Sequence, residues 1–323
     1  MARYILRRLL QMIPLVLGIT FLTFAIINLV PGSPVTNLSF SNPRLRPQDI
    51  ANINHNLGLD KPWPERYVIW LWHLLHGNLG FSYINGTPVL DRILTVLPNT
   101  LLLTGTALLF AFIFSIPLGI YSATRRNTLF DHLVTIGSTA AYAIPTFWLG
   151  LMMILLFAVK FHQWGLPALP VGGTHNLRGQ SGLLDWIKHL IMPAIALGIV
   201  SLAGWTRYIR GSMLEVIRQD FIRTAEAKGL REKSILYGHA FRNALLPLVT
   251  LIGLTLPDLF GGAVIIEQIF AWNGLGRLQV DAANASDYTL VMGIVLMFAV
   301  LTLLSNLFAD VMYAVLDPRI RYD

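Results

Sequence analysis

Asp258, beside Pro257, is the one acidic residue near the middle of a long apolar run. A charge at that depth of a membrane span costs at least about 2.5 kcal/mol, so it must face a bundle interior, a partner or a water-filled path. Two readings follow: Asp258 lines a substrate path, or it is neutralised by a polar neighbour or a partner subunit. Pro257 predicts a locally broken helix that admits water. Other reactive groups do not assemble into sites. His73 and His76 stand three apart, on one helix face, with no acidic or third histidine partner at ligand spacing. They read as polar edges of an interfacial helix. His162, His175 and His189 show no metal spacing. No Gly-x-Ser-x-Gly elbow and no His-Glu-x-x-His helix occurs. There is no Gly-Lys dipeptide, so there is no phosphate-cradling P-loop. Cysteine is absent, which excludes disulfides, thiolate zinc sites, iron–sulfur clusters and cysteine nucleophiles. No catalytic, metal or cofactor-binding residue is expected in this chain.

An intramembrane enzyme therefore has no support in these residues, and the elements around Asp258 point elsewhere. Of 323 residues, 54% are hydrophobic and 13% charged, against roughly 25% charged in ordinary soluble domains. A helix needs about 20 apolar residues to cross about 30 Å of hydrocarbon. Six segments qualify: Leu9 to Val30, Asn99 to Tyr121, Leu133 to Val159, Leu190 to Thr206 (short), Leu245 to Ile266, and Tyr288 to Ala309. The first run is too long for a signal peptide and reads as a retained span. Glu267 and Asp310 sit at span ends and read as anchors.

Of the 24 Lys and Arg residues, 15 fall in one set of connecting segments and 9 in the other, which spreads over more chain. The richer set includes Arg3, Arg7, Arg8, Arg125, Arg126 and eight residues between Arg207 and Arg242. The positive-inside rule then puts both termini in the cytoplasm. The net charge of +7 is a topology signal rather than a mark of nucleic-acid binding. Outside lies Pro31 to Pro98, with an amphipathic stretch from Tyr67 to His76 whose Trp70 and Trp72 suit the membrane interface.

Arg207 to Asn243 is the largest cytoplasmic segment. It carries both charge signs, helical spacing and a central Gly229. Spacing alone leaves two readings open, a solvated loop that orients its neighbours and a docking element.

Phe221-Ile-Arg-Thr-Ala-Glu-Ala-Lys-Gly-Leu230, followed by His239-Ala-Phe-Arg-Asn-Ala-Leu-Leu-Pro247, resembles the signature of permease subunits of ATP-binding-cassette importers. More closely it resembles the first, B-type permease of the dipeptide, oligopeptide and nickel group. The family's Glu-Ala-Ala falls on Arg223, Thr224 and Ala225, its glycine on Gly229, and its closing Leu-Pro on Leu246-Pro247. The leading glutamate is missing, and Glu226 is not its equivalent; the Arg-Thr-Ala form is usual in the peptide group. Asn56 to Pro62, Gly77 to Ser82, Ile266 to Arg277 and Leu316 to Arg321 extend the resemblance over nearly the whole chain.

The resemblance implies an all-α polytopic protein of the bacterial or archaeal inner membrane, with the type I importer permease fold and six transmembrane helices. Residues 1–30 would form the N-terminal segment and first span, and 31–98 an extracytoplasmic segment. Residues 99–316 would form a five-helix core with coupling loop 207–243, and 317–323 a cytoplasmic tail. It implies a second, homologous permease, an extracytoplasmic peptide-binding protein, and two ATPase subunits that bind ATP and magnesium. Arg223, Thr224, Ala225, Gly229, Leu230 and Pro247 would couple to the ATPases. A short amphipathic helix broken at Gly229 would dock on them, with Ile222, Leu230, Ile235 and Leu236 as apolar anchors, and Gly77–Ser82 would help receive the binding protein. Asp258 is the candidate for the translocation path. Nickel or another small solute is the alternative substrate. An ATP-independent carrier or channel, and an intramembrane enzyme, are the competing classes; neither inverted repeats nor a nucleophile constellation supports them.

Overall fold

The computed structural model describes residues 2–29, 48, 60–175 and 182–316. Most of 31–59, including the start of the Asn56–Pro62 motif, and the tail 317–323 lie outside the described residues. The described chain is helical, with one isolated β-bridge, Phe81 to Pro88. Its main helices are α1 (Ala2–Leu29), α2 (Trp63–Leu75), α3 (Val89–Thr124), α4 (Leu129–Ala143), α5 (Thr146–Met153), α6 (Leu183–Val216), α7 (Asp220–Ala227), α8 (Arg242–Ile269), α9 (Leu275–Asn284) and α10 (Tyr288–Leu316). Among the described residues, five helical stretches are long and apolar enough to cross a membrane: Ile5–Leu29, Val89–Thr124, Thr146–Gln163, Leu183–Val216 and Tyr288–Met312. Leu109, Ile113 and Phe114 of α3, and Leu151 and Leu155 after the start of α5, are exposed. Apolar surface on this scale marks a face made for lipid or for partner helices.

Three expectations need correction. The third span is not one helix from Leu133 to Val159. It breaks at Ile144-Pro145, where Ile144 takes an extended ψ of 126°. The ring of a proline clashes with an α-helical residue before it, so a new helix starts at Thr146. That helix continues through a π-helical stretch, Ile154–Lys160. The fourth span is not short: α6 has 34 residues and carries Arg207 and Arg210 within it. Pro257 does not break α8, which stays helical on both sides of Asp258. Membrane helices tolerate proline where neighbouring groups satisfy the freed carbonyl.

The chain divides into two compact units. In the first, Met1–Thr100 with Asn273–Leu303, Val89 and Ile93 of α3 pack with Leu275 of α9 and Ile294 of α10, all essentially sealed from solvent. Asp287 is buried and caps α10, accepting from the Leu290 amide at 3.3 Å, the Tyr83 amide at 3.2 Å and the Ser82 hydroxyl. That carboxylate ties the Gly77–Ser82 turn to α10. Tyr67 of α2 meets the Thr20 hydroxyl of α1 at 3.0 Å and packs edge-on to Phe21, while Trp72 stays exposed.

The second unit, Leu101–Trp272 with Leu304–Asp323, has two buried clusters. One joins Leu103 and Ala107 of α3, Leu197 of α6, Ile266 of α8 and Trp272. The other joins Ile120 and Ala123 of α3 to Trp205, Ile209 and Met213 of α6 and to Ala244 and Leu248 of α8. Close approach here depends on Gly119: a Cβ built there lies 2.7 Å from Ile209 Cβ and 3.0 Å from the Thr206 carbonyl. Hydrocarbon offers helices no hydrophobic drive to associate, so small residues that let backbones meet supply the packing.

Gly119→Val is expected to lower the stability of the purified protein by about 1–3 kcal/mol, the usual cost of overpacking. Gly105→Ala, where a Cβ meets nothing within 4 Å, is the control and should be neutral or stabilising. Thermal unfolding in one detergent checks both; equal midpoints for Gly119→Val and the parent would contradict the tight α3–α6 contact.

Candidate functional site

Helix α6 does not end in a slack loop. Past Val216 the amides of Ile217, Arg218, Gln219 and Ile222 donate in sequence to the carbonyls of Met213, Glu215, Val216 and Gln219 at 2.9–3.2 Å. Hydrogen-bonded turns therefore join α6 to the short helix α7, with an extended Gln219 at the corner. The α7 helix is strongly two-faced. Ile222 (2% exposed) and Ala225 (5%) point into the cluster of Trp205, Ile209 and Met213. Burying Ile222 against it contributes about 1.5–3 kcal/mol. Phe221, Arg223 and Thr224 face outward.

At the end of α7 the Gly229 amide donates to the Glu226 carbonyl at 2.9 Å and the Leu230 amide to the Ala225 carbonyl at 3.4 Å. This is a Schellman closure, which requires a left-handed residue, and Gly229 has φ +72°. A Cβ there would meet open space, so the requirement is conformational rather than steric. The chain then turns at Glu232–Ser234 and enters a π-helical stretch, Ile235–Phe241, that runs into α8. Ile235 and Ala240 are buried, Leu236 is partly buried in the same cluster, and Tyr237 and Leu230 are exposed.

Beside this segment lies a charge cluster. Arg210 of α6 grips Asp131 of α4 with two hydrogen bonds, Nε to Oδ1 at 2.6 Å and an Nη to Oδ2 at 2.7 Å. The Asp131 carboxylate also accepts from the Ser122 hydroxyl of α3 and from the Asn127 amide at 3.0 Å. Thr128 caps α4, its hydroxyl accepting from the Asp131 amide at 3.4 Å. Asp131 is 1% exposed, so removing Arg210 would strand a buried carboxylate, at a typical cost of about 3–5 kcal/mol; Arg210 itself is a quarter exposed. Arg210 hydrogen bonding holds the Asp131 carboxyl well below the usual carboxylate range; burial opposes this, and Ser122 and Asn127 reinforce it. One turn before Arg210, Arg207 lies 4.6 Å over the Tyr142 ring of α4, and Ser212 donates to the Ala244 carbonyl of α8 at 3.3 Å.

The expected site residues divide accordingly. Arg223, Thr224, Gly229 and Leu230 are brought together on the outer side of the segment. Arg223 pairs with Asp220 at 3.6 Å, both highly exposed. Ala225 is buried, and so are Ile222 and Ile235. Ile222 and Ile235 do not present themselves as the docking anchors the sequence suggested, because the chain's own core takes them; they seat the segment instead. The exposed apolar side chains are Phe221, Leu230 and Tyr237. Pro247 lies in α8, and its side chain is outside the described residues. Asp258 stands apart from this site, exposed on α8. Among the described residues no group of three His, Asp or Glu side chains could hold a metal ion.

The model for the binding-protein-dependent transport system inner membrane component matches residues 115–322, the whole of this site included. The chain belongs to this family. The model for the N-terminal part of such membrane components matches residues 1–104. The permease is 43% identical to the oligopeptide transport system permease protein AppB of Bacillus subtilis, over all of both chains. It is 41% identical to the di/tripeptide transport system permease protein DppB of Pseudomonas aeruginosa, over the whole of this chain and 99% of that one. Identity to the dipeptide transport system permease protein DppB of Escherichia coli K12 is 39%, with the same coverage. In fold it is similar to a chain of the inward-facing MetNI methionine ABC transporter, with a TM-score of 0.55 at 18% identity, covering 70% of this chain and 96% of that one. The type I importer permease fold stands, and the chain is a transport subunit of an ABC importer in the inner membrane.

Sequence reasoning missed the Asp131–Arg210 pair, whose members stand 79 residues apart. One half was readable: Thr128-x-x-Asp131 ahead of an apolar run is a helix-start signature. Because the Asp131 carboxyl titrates lower in the folded permease than in the unfolded chain, its stabilisation is complete above the ordinary aspartate value near pH 4. It is lost as pH falls below that toward the depressed folded value. Unfolding midpoints between pH 6 and 3 should show an acid-dependent loss that Asp131→Asn, less stable at pH 6, lacks in part. Parallel pH profiles for the two would contradict the assignment.

Proposed function

We propose that this permease is the first-type membrane subunit of an importer for di- and oligopeptides. It forms the translocation path with a second, homologous permease. Two ATPase subunits, carrying ATP and magnesium, drive it, and an extracytoplasmic binding protein delivers the peptide. The observation that carries the substrate class is the near-40% identity over the full chain to three permeases that are each named for di-, tri- or oligopeptides. The exclusion of nucleotide-binding motifs from the sequence supports ATP hydrolysis on separate subunits.

The basic asymmetry supports an orientation with both termini and the 207–243 segment in the cytoplasm. Helix α8, 28 residues long, serves as the sixth span beside the five apolar stretches. The ATPases meet the exposed Phe221 and Leu230 and the polar Arg223 and Thr224 around them. Gly229 fixes the angle between the two halves of that surface. Helix α8 runs from this segment past Asp258 to the buried Glu267. Asp258 faces the path shared with the second permease, where it offers a transient partner to a peptide's cationic amino terminus.

The test is uptake of labelled dipeptides and tripeptides by a strain lacking its own peptide importers, with and without the complete system, against nickel as competing cargo. Peptide uptake is expected, and nickel uptake without peptide uptake would overturn the substrate assignment. In the same assay Asp258→Asn, which keeps size and removes charge, should assemble normally and change uptake several-fold. Normal assembly with unchanged uptake of every peptide would remove Asp258 from the path.

A further inference from the structure

Apolar packing has no direction. The Gly119 notch seats Ile209 and sets where α6 meets α3, but that contact includes no residue of α4. A planar guanidinium gripping both oxygens of one carboxylate is directional in two axes. Arg210 sits six residues before the end of α6, and Asp131 stands in the first turn of α4, bound also to Ser122 of α3 and to the turn between α3 and α4. The carboxylate thus joins three elements at one level, next to the helix that leads without slack into α7. Through Ser212 the same stretch of α6 reaches the base of α8. None of these groups lies on the exposed face offered to the ATPases.

We propose that Asp131 and Arg210 are positioning residues for energy coupling: they lock α6 to the α3–α4 turn, so that a displacement of α7 moves these helices as one block. The proposal rests on the reading of α7 as the element that the ATPases move. Without the lock, α7 and α6 would follow the ATPases while α3 and α4 lagged, and ATP would be spent without opening the path.

The experiment uses the complete complex, with its second permease and two ATPases, and the fact that this chain has no cysteine of its own. Spin labels on Arg126→Cys, in the α3–α4 turn, and Arg218→Cys, just past α6, report one distance. It is measured without nucleotide and after trapping with ATP and vanadate, alongside ATP hydrolysed per peptide imported. The variants are the double Asp131→Asn with Arg210→Gln, which leaves no unpaired charge, and Arg210→Lys, which keeps the charge but not the fork.

The unsubstituted complex should give one narrow distance that trapping does not change. The double variant should assemble, give a broadened distance that shifts on trapping, and consume about tenfold more ATP per peptide; Arg210→Lys should fall between. A distance that shifts in the unsubstituted complex overturns the proposal. So does a double variant with unchanged distance and unchanged ATP ratio. Failure of both variants to assemble would assign the pair to folding alone and would also overturn it. If the unsubstituted complex imports no peptide, the substrate reading fails, and the distance measurement still decides the role of the pair.

Discussion

In a bundle this apolar, hydrocarbon gives the helices no drive of its own to associate in one register, and the few polar groups that cannot be left unpaired do most to fix it. Asp131 is the strongest case. Its carboxylate is sealed from solvent and accepts from Arg210, Ser122 and the Asn127 amide, so one arrangement of α3, α4 and α6 is favoured over all slipped ones. Asp287 plays the same part in the other unit, where it caps α10 and holds the turn around Ser82. Between such fixtures, glycines set how near the helices come. Gly119 admits Ile209, and Gly198 admits the Ala107 carbonyl, 2.6 Å from where a Cβ would stand.

The surface proposed for coupling follows from that platform. Helix α7 has eight residues, too few to be stable in water on its own. It is held because Ile222 and Ala225 enter the same cluster that Trp205, Ile209 and Met213 build, and because Gly229 closes its end. Seating uses one face and leaves the other free, so Phe221, Leu230 and Tyr237 stay exposed in a chain that buries apolar groups nearby.

Most of the helical plan was legible from residue types, because hydropathy over about 20 residues is a strong signal. Finer features were legible only in part. Gly229 announced a break, and the left-handed closure agrees. Pro145 also announced one, but it sits inside an unbroken apolar run and was passed over; the extended Ile144 shows that the local clash prevailed over hydropathy. Pro257 gave the opposite error, since a long helix carries it without breaking. Which face of α7 is buried could not be read from its own residues, because Phe221 and Ile222 are equally apolar neighbours and only the packing beneath them decides. Arg210 looked like one more topology-setting cation until α4 brought Asp131 to it.

The central claim is that α7 is seated by Ile222 and presents Phe221 to an ATPase on the cytoplasmic side. Single cysteines at these two positions, Phe221→Cys and Ile222→Cys, test it most directly in the otherwise cysteine-free chain. Inverted membrane vesicles are treated with a membrane-impermeant maleimide, with the ATPases present or stripped away. The account predicts that Phe221→Cys reacts rapidly only once the ATPases are removed, and that Ile222→Cys stays unreactive in both preparations. Rapid labelling of Ile222→Cys, or labelling of Phe221→Cys that the ATPases do not slow, would contradict it.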